Sequence, residues 1–255
     1  MESTYGDREH EGNNEIDDDL AEIVNTAFRV GGKIIVPSFA LQRAQEIMYY
    51  LNILILEKRI PELKVYLDSP MAIRITGVFK RYHELFDREM KELLSQRQSP
   101  FDFSGLTMVE TAEESKALNS IKETVMIIAG SGMCTGGRIK HHLVNNISRP
   151  ESTIIFIGYQ AEGTLGRHIV NGARSVRIHG IRRPVRARIA QIHGFSAHAD
   201  RDDLLKWLSK LSAEPRHVFI THGEKQAAAQ FSTFLKEKTG YETSVPVYNT
   251  RVSLE

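Results

Sequence analysis

Apolar and polar positions follow two alternating periods along the chain. From Asp17 to Phe28 the residues Leu20, Ile23, Val24, Ala27 and Phe28 recur on one face, with acidic residues in the first turn and Gly31 just beyond, which predicts a helix. Lys33–Val36 is a short apolar run closed by Pro37, and a helical pattern follows from Ala40 to about Leu54. The succession repeats four times: Lys64–Leu67 before Met71–Phe86, Val125–Ala129 before Arg138–Ile147, Ile154–Ile157 before Leu165–Gly172, and Val218–Thr221 before Lys225–Lys238. Strands alternating with helices need crossover connections, so the expected class is α/β, a largely parallel sheet flanked by helices. The runs KIIV, VMIIAG and TIIFIG are continuously apolar, as strands covered on both faces should be. Residues 87–123 carry no clear period, and their polar stretch SQRQSPFDFSG reads as a loop interrupting the domain.

Composition narrows this picture without changing it. At about 150 residues per domain, 255 residues make one large or two modest domains. Apolar residues are 41% and charged residues 25% of the chain, and no apolar run approaches the 18 or more residues of a membrane helix. The first twenty residues have neither a basic nor an apolar segment of a secretory signal, and the single cysteine, Cys134, rules out an internal disulfide and a CxxC zinc site. A reducing, cytoplasmic setting is the expectation, with no membrane association. The net charge of +1 hides an asymmetry. Residues 1–20 hold eight acidic side chains and one basic, leaving 32 basic against 24 acidic in the rest. Between Gly163 and Ala199 there is no Asp or Glu, while seven arginines (Arg167, Arg174, Arg177, Arg182, Arg183, Arg186, Arg188) gather there. Such a run fits an anionic partner, nucleic acid above all, or a solvated basic edge balanced by the acidic N-terminus.

In parallel sheets ligands collect at the carboxyl ends of the strands. The residues following the predicted strands are Pro37-Ser38-Phe39, Asp68-Ser69-Pro70, Gly130–Arg138 (GSGMCTGGR), Gly158-Tyr159-Gln160 and Thr221-His222-Gly223-Glu224. The GSGMCTGGR loop ahead of a helix can offer backbone N–H groups to a phosphate, with Arg138 adding charge. It lacks the Walker lysine and is not GxGxxG, and tight strand-to-helix turning alone accounts for its glycines equally well. His193 and His198 flank a Gly-Phe-Ser-Ala turn, and His222 follows a strand, with Asp200 and Glu224 close by in sequence. A single histidine at a strand end is more often structural than catalytic; two in successive turns beside carboxylates even the balance. His141 and His142, adjacent on a predicted helix, point about 100° apart and read as surface and core edge.

Seven segments in this order, ESTYGDR (2–8), PSFALQRAQE (37–46), DSPMA (68–72), GSGMCTGGR (130–138), GYQAEGTLGRH (158–168), GFSAHAD (194–200) and THGE (221–224), resemble the β-CASP group of metallo-β-lactamase-fold RNA-processing nucleases, the bacterial and archaeal type most closely. The resemblance runs from Glu2 nearly to the C-terminus. It implies a zinc-dependent ribonuclease with Glu2 as the motif A carboxylate and His198 as the motif B histidine, a pair that protonates the leaving oxygen. It makes His222, the motif C histidine, a zinc ligand. It also implies RNA or phosphate contacts from the β-CASP loops, for which Ser38, Arg43, Ser131, Gly132, Arg138 and Arg167 are the candidates. A carboxylate-paired imidazole suits a general acid, and a neutral imidazole suits zinc.

One departure from the family pattern matters. The family's HxHxDH cluster, another histidine and a bridging aspartate precede motif A, whereas here Glu2 is the second residue and no His-x-His occurs. The chain therefore reads as the later part of a longer protein. The expected divisions are 1–8 as the end of a first metallo-β-lactamase segment, 9–189 as a β-CASP domain and 190–255 as a closing metallo-β-lactamase segment. The partners implied are RNA, the missing N-terminal segment and a second copy of the chain. Two zinc ions belong to the intact family enzyme, and this part alone is expected to hold no such pair and to be inactive. The alternatives are a non-catalytic RNA-binding or scaffolding relative, and an unrelated nucleotide-binding α/β enzyme using the Gly130–Arg138 loop. No ribose-binding acid follows that loop at the usual distance.

Overall fold

The central strands of the sheet are covered on both faces. In the computed structural model, which describes residues 1–10 and 16–253, the chain runs α1 (Ile16–Val30), β1 (Ile34–Pro37), α2 (Arg43–Leu56), β2 (Lys64–Asp68), α3 (Pro70–Arg81), α4 (Arg88–Ser95), β3 (Leu106–Met108) and α5 (Ala112–Ala117). It continues through β4 (Val125–Ala129), α6 (Ile139–Asn146), β5 (Thr153–Ile157), α7 (Leu165–Val170), β6 (Ser175–Ile178), β7 (Ile181–Pro184) and β8 (Arg188–Ile192). The last elements are α8 (Arg201–Leu208), β9 (Val218–Phe219), α9 (Lys225–Thr239) and β10 (Thr243–Ser244). Glu11 and Glu15 of the acidic N-terminal run lie outside the described residues. Among the described residues, no helix is long and apolar enough to cross a membrane.

Two compact units emerge, residues 14–195 and a unit built from residues 1–13 together with 196–255. In the first, six strands form a sheet of order β3-β2-β4-β1-β5-β8, every neighbouring pair parallel. Side chains alternate between its faces. Ile34, Val36, Val65, Leu67, Met126 and Ile128 meet α1 and α2 on one side, while Ile35, Val125, Ile127, Ile154 and Phe156 meet α6 and α7 on the other. All five residues of β4 and of β5 are buried, so the continuous apolar runs reflect helices on both faces. The first unit reaches past residue 189 because β8 pairs with β5 from Arg188 to Ile192 and completes this sheet.

Several expected boundaries move. The helix predicted over 71–86 stops at Arg81 and gives way to a short 3-10 turn at His83–Leu85. The polar stretch SQRQSPFDFSG is a loop between Ser95 and Leu106, but the rest of 87–123 holds α4, β3 and α5. Both helices carry start signals that the missing periodicity obscured. The Asp87 carboxylate accepts from Met90 N at 2.9 Å, and Thr111 and Glu114 form a reciprocal capping box. The second unit packs α8 and α9 around Leu204, Leu208, Val218, Ile220, Ala228, Phe231 and Leu235, beside the short parallel pair β9–β10.

Candidate functional site

The N-terminal residues are laced to the segment leaving β9. The Met1 amine donates to Phe219 O at 2.7 Å, Thr221 N donates to Met1 O at 2.8 Å, and the Ser3 hydroxyl donates to Thr221 O at 3.0 Å. Gly223 has no room for a side chain, since a Cβ there would lie 2.5 Å from Ser3 O. This register sets Glu2 against two histidines. Glu2 Oε1 lies 3.2 Å from His198 Nδ1, and the His198 and His222 rings stand 5.4 Å apart. Glu2 Oε2 accepts from Thr4 N at 2.8 Å. Partial burial opposes ionisation of the Glu2 carboxyl, but the hydrogen bonds from Thr4 and the charge and hydrogen bond of His198 outweigh it and hold the group below its ordinary range.

His198 is held from behind by the first turn of α8. Its carbonyl lies 2.9 Å from His10 Nε2, and its N–H donates to the Ser196 hydroxyl. Asp200 caps α8, accepting from Asp202 N and Asp203 N, and also accepts from His10 N at 2.9 Å. His222 has a left-handed backbone, φ 54°, uncommon for a non-glycine residue. The Thr4 hydroxyl donates to His222 O at 3.0 Å, so toward the His222 ring, 3.4 Å from Nδ1, it acts as acceptor. That arrangement places a donor at Nδ1 and leaves the Nε2 lone pair open to another partner. One carboxylate oxygen and two imidazole nitrogens of Glu2, His198 and His222 lie within 4.8 Å of one another. Tetrahedral zinc with bonds near 2.1 Å wants donors about 3.4 Å apart, so the set fits zinc in chemical kind and needs only side-chain adjustment to close on it.

The β-CASP loop candidates fall in the first unit. Ser38, Ser131 and Arg138 line one cavity of about 380 Å³ with Phe39, Asp68 and Ser69, at the carboxyl ends of β1, β2 and β4. The expectation that GSGMCTGGR presents free amides needs correction. Ser131 Oγ accepts from Thr135 N at 3.1 Å and Gly136 N at 3.3 Å, so the loop's donors close on its own serine. Gly132 is a glycine because a Cβ would meet the Phe39 ring at 2.8 Å, and its carbonyl accepts from Gln160 Nε2. Arg138 is a clamp rather than a loose loop cation: Nη1 donates to Asp68 Oδ1 at 2.6 Å and Val109 O at 2.9 Å, and Nη2 to Glu110 O at 2.7 Å. Arg43 pairs with Glu46 and lies over the Phe195 ring, Arg167 Nη1 donates to Gln160 O, and the buried Ser38 hydroxyl donates to Phe39 O.

Sequence reasoning missed the network beneath that cavity. Asp68, fully buried, meets His142 Nε2 at 2.5 Å and the Ser115 hydroxyl at 2.5 Å as well as Arg138. Burial pushes its carboxyl up, but these three partners together bring it below the ordinary range. The signals were an aspartate ending an apolar strand and a histidine pair whose second member faces the core. His142 is 1% exposed, deeper than the core edge expected of it. Burial pushes the Cys134 thiol up to about 12, which removes it as a nucleophile or ligand near neutral pH.

The chain thus joins a parallel α/β sheet with this loop set to a carboxylate–histidine–histidine cluster that could hold a metal ion. Residues 44–169 match the Beta-Casp domain family, and residues 182–246 match the Zn-dependent metallo-hydrolase RNA specificity domain family. The chain belongs to the β-CASP group of metallo-β-lactamase-fold RNA-processing nucleases. It is 42% identical over 225 residues to Ribonuclease TTHA0252 of Thermus thermophilus, covering 88% of this chain and 51% of that protein. It is 32% identical over 263 residues to Transcription termination factor FttA of Pyrococcus horikoshii, covering 96% and 39%. To the RNase J-like protein of Methanocaldococcus jannaschii it is 31% identical over 252 residues, covering 98% and 57%. The chain thus spans about half the length of the curated relatives it matches.

Proposed function

We propose that this chain is the β-CASP and RNA-specificity part of a zinc-dependent ribonuclease that hydrolyses RNA phosphodiester bonds. The observation that carries the reading is the convergence of Glu2, His198 and His222, brought from positions up to 220 residues apart to a 3.2 Å carboxylate–imidazole contact and a 5.4 Å ring separation. A scaffold has no need of that cluster, which disfavours the non-catalytic alternative. Zinc, when bound, supplies Lewis-acid stabilisation of the charge that develops at phosphorus. His222 would hold it through Nε2, its ring fixed by Thr4. Glu2, ionised and fixed by the Thr4 N–H, orients the His198 ring through Nδ1. The opposite ring nitrogen, Nε2, then carries the proton to the departing oxygen as its charge builds. Residues 1–13 and 196–255 belong, on this reading, to the metallo-β-lactamase half of the enzyme and 14–195 to its β-CASP half, working in the cytoplasm. His222 is the only expected zinc ligand among the described residues and cannot hold two metal ions, so the chain alone is inactive.

The test is single-turnover cleavage of a labelled RNA by the full-length protein across pH, with zinc quantified in each variant. His198→Ala should slow cleavage about 10²–10⁴-fold while zinc content and RNA affinity stay close to those of the parent. His222→Ala should lose metal as well as rate. The reverse pattern, zinc lost with His198 and kept without His222, would show the two roles to be exchanged.

A further inference from the structure

The β6–β7 hairpin concentrates positive charge in a way that its own packing does not require. Val176 and Ile178 point inward and are 6% and 0% exposed, while Arg177 and Arg182 sit directly opposite each other on the outer face, both exposed. Like charges in a cross-strand pair are destabilising. Each guanidinium has one bond inside the hairpin, Arg177 Nη1 to Gly180 O at 2.9 Å and Arg182 Nε to Ser175 Oγ at 2.7 Å. Among the described residues, none of Arg174, Arg177, Arg182, Arg183, Arg186 and Arg188 lies within ion-pair distance of a carboxylate. The basic run is therefore not balanced by the acidic residues described near the N-terminus.

At the hairpin tip His179 and Gly180 both have positive φ, 49° and 78°, as a two-residue turn of this kind demands. The turn presents the His179 ring to His141 of α6, stacked at 4.9 Å between centroids and 28° between planes, with both rings exposed. Partial desolvation, then the charges of Lys140, His141 and Arg183, hold His179 below the ordinary imidazole range, consistent with a locally positive field.

We propose that the outer face of this hairpin, with the His141–His179 stack beside it, is a contact surface for single-stranded RNA. Arg177 and Arg182 neutralise phosphates, and the imidazole stack offers a flat face on which a base continues the pile. The stack is what favours RNA over an acidic polypeptide, which would use the charge but not the rings. The proposal deepens the RNA-processing reading above and rests on it.

The experiment is fluorescence anisotropy of a fluorescein-labelled 20-nucleotide oligouridylate with this chain, titrated between 50 and 300 mM KCl. Removing Arg177 and Arg182 together (R177A/R182A) should lower the slope of log affinity against log salt by about 1.4, at 0.7 per phosphate contact on a single strand. Removing His141 and His179 together should cost about tenfold in affinity with the slope unchanged. The thermal midpoint of R177A/R182A should not fall, because a repulsive cross-strand pair is gone. Should both double variants match the parent in affinity and slope, the hairpin proposal is overturned while the parent's own binding keeps the RNA reading. An unchanged histidine variant overturns the stacking contact. Polyglutamate competing as well as oligouridylate overturns the assignment to RNA in favour of an acidic protein partner. No binding by the parent at 50 mM salt removes the RNA reading and the proposal together.

Discussion

Gly223 shows how little separates a working arrangement from a displaced one. A methyl group there would lie 2.3 Å from Ser3 Oγ and 2.5 Å from Ser3 O, and Ser3 adjoins Glu2. Gly223→Ala should therefore shift the N-terminal segment, and RNA cleavage by the full-length protein should fall far more than RNA affinity. Kinetics beside anisotropy on one preparation would check it. Glu2→Gln should act as a milder His198→Ala, because the ring keeps a hydrogen-bond partner but loses the carboxylate charge beside it. A slowing equal to that of His198→Ala would mean that Glu2 does more than orient and polarise. Cys134, 0% exposed and held up to about 12, should resist thiol reagents in the native protein and react only on unfolding. Rapid labelling under native conditions would show an opening of the core beneath the GSGMCTGGR loop.

Between elements, the Asp68 network joins β2 to α5 and α6, and its pH response has a definite sign. The folded carboxyl lies below its ordinary value, so its contribution is in place above about pH 4, the unfolded range, and is lost as pH falls through the folded value. Asp68→Asn should cost about 3 kcal/mol at pH 7, by leaving the half-buried Arg138 against a neutral partner at a buried site, and the gap to the parent should narrow below about pH 4. Urea unfolding at the two pH values measures it; a gap independent of pH would assign the cost to lost hydrogen bonds instead. Most strands and the long helices were legible because their apolar period reflects the face they bury. β6 and β7 were not, since two buried residues, Val176 and Ile178, scarcely stand out among arginines. Nor were α4 and α5, short helices whose caps speak louder than their faces. At the cluster, Glu2, His198 and His222 were legible through motif resemblance, whereas the Thr4 bonds that orient His222 depend on a register between Met1–Thr4 and Phe219–His222 that no local pattern encodes.

Across the chain, the donor count sets the metal chemistry. Glu2, His198 and His222 can close on one ion, so dialysed protein should retain at most about one zinc per chain, held weakly, with no RNA turnover. Plasma emission analysis beside a fluorogenic RNA assay tests this, and two tightly held ions with turnover would refute it. The arrangement of the two units has a further result, in time rather than space. Residues 14–195 are contiguous, but the other unit joins residues 1–13 to residues 196–255, on either side of them in sequence. At about 5–20 residues per second, the ribosome takes roughly 3–12 s to make residues 196–255. The β-sheet unit can thus settle while Glu2 still waits for both of its histidines. A chain abandoned before His222 is made would carry a folded basic surface and no complete acid–metal cluster.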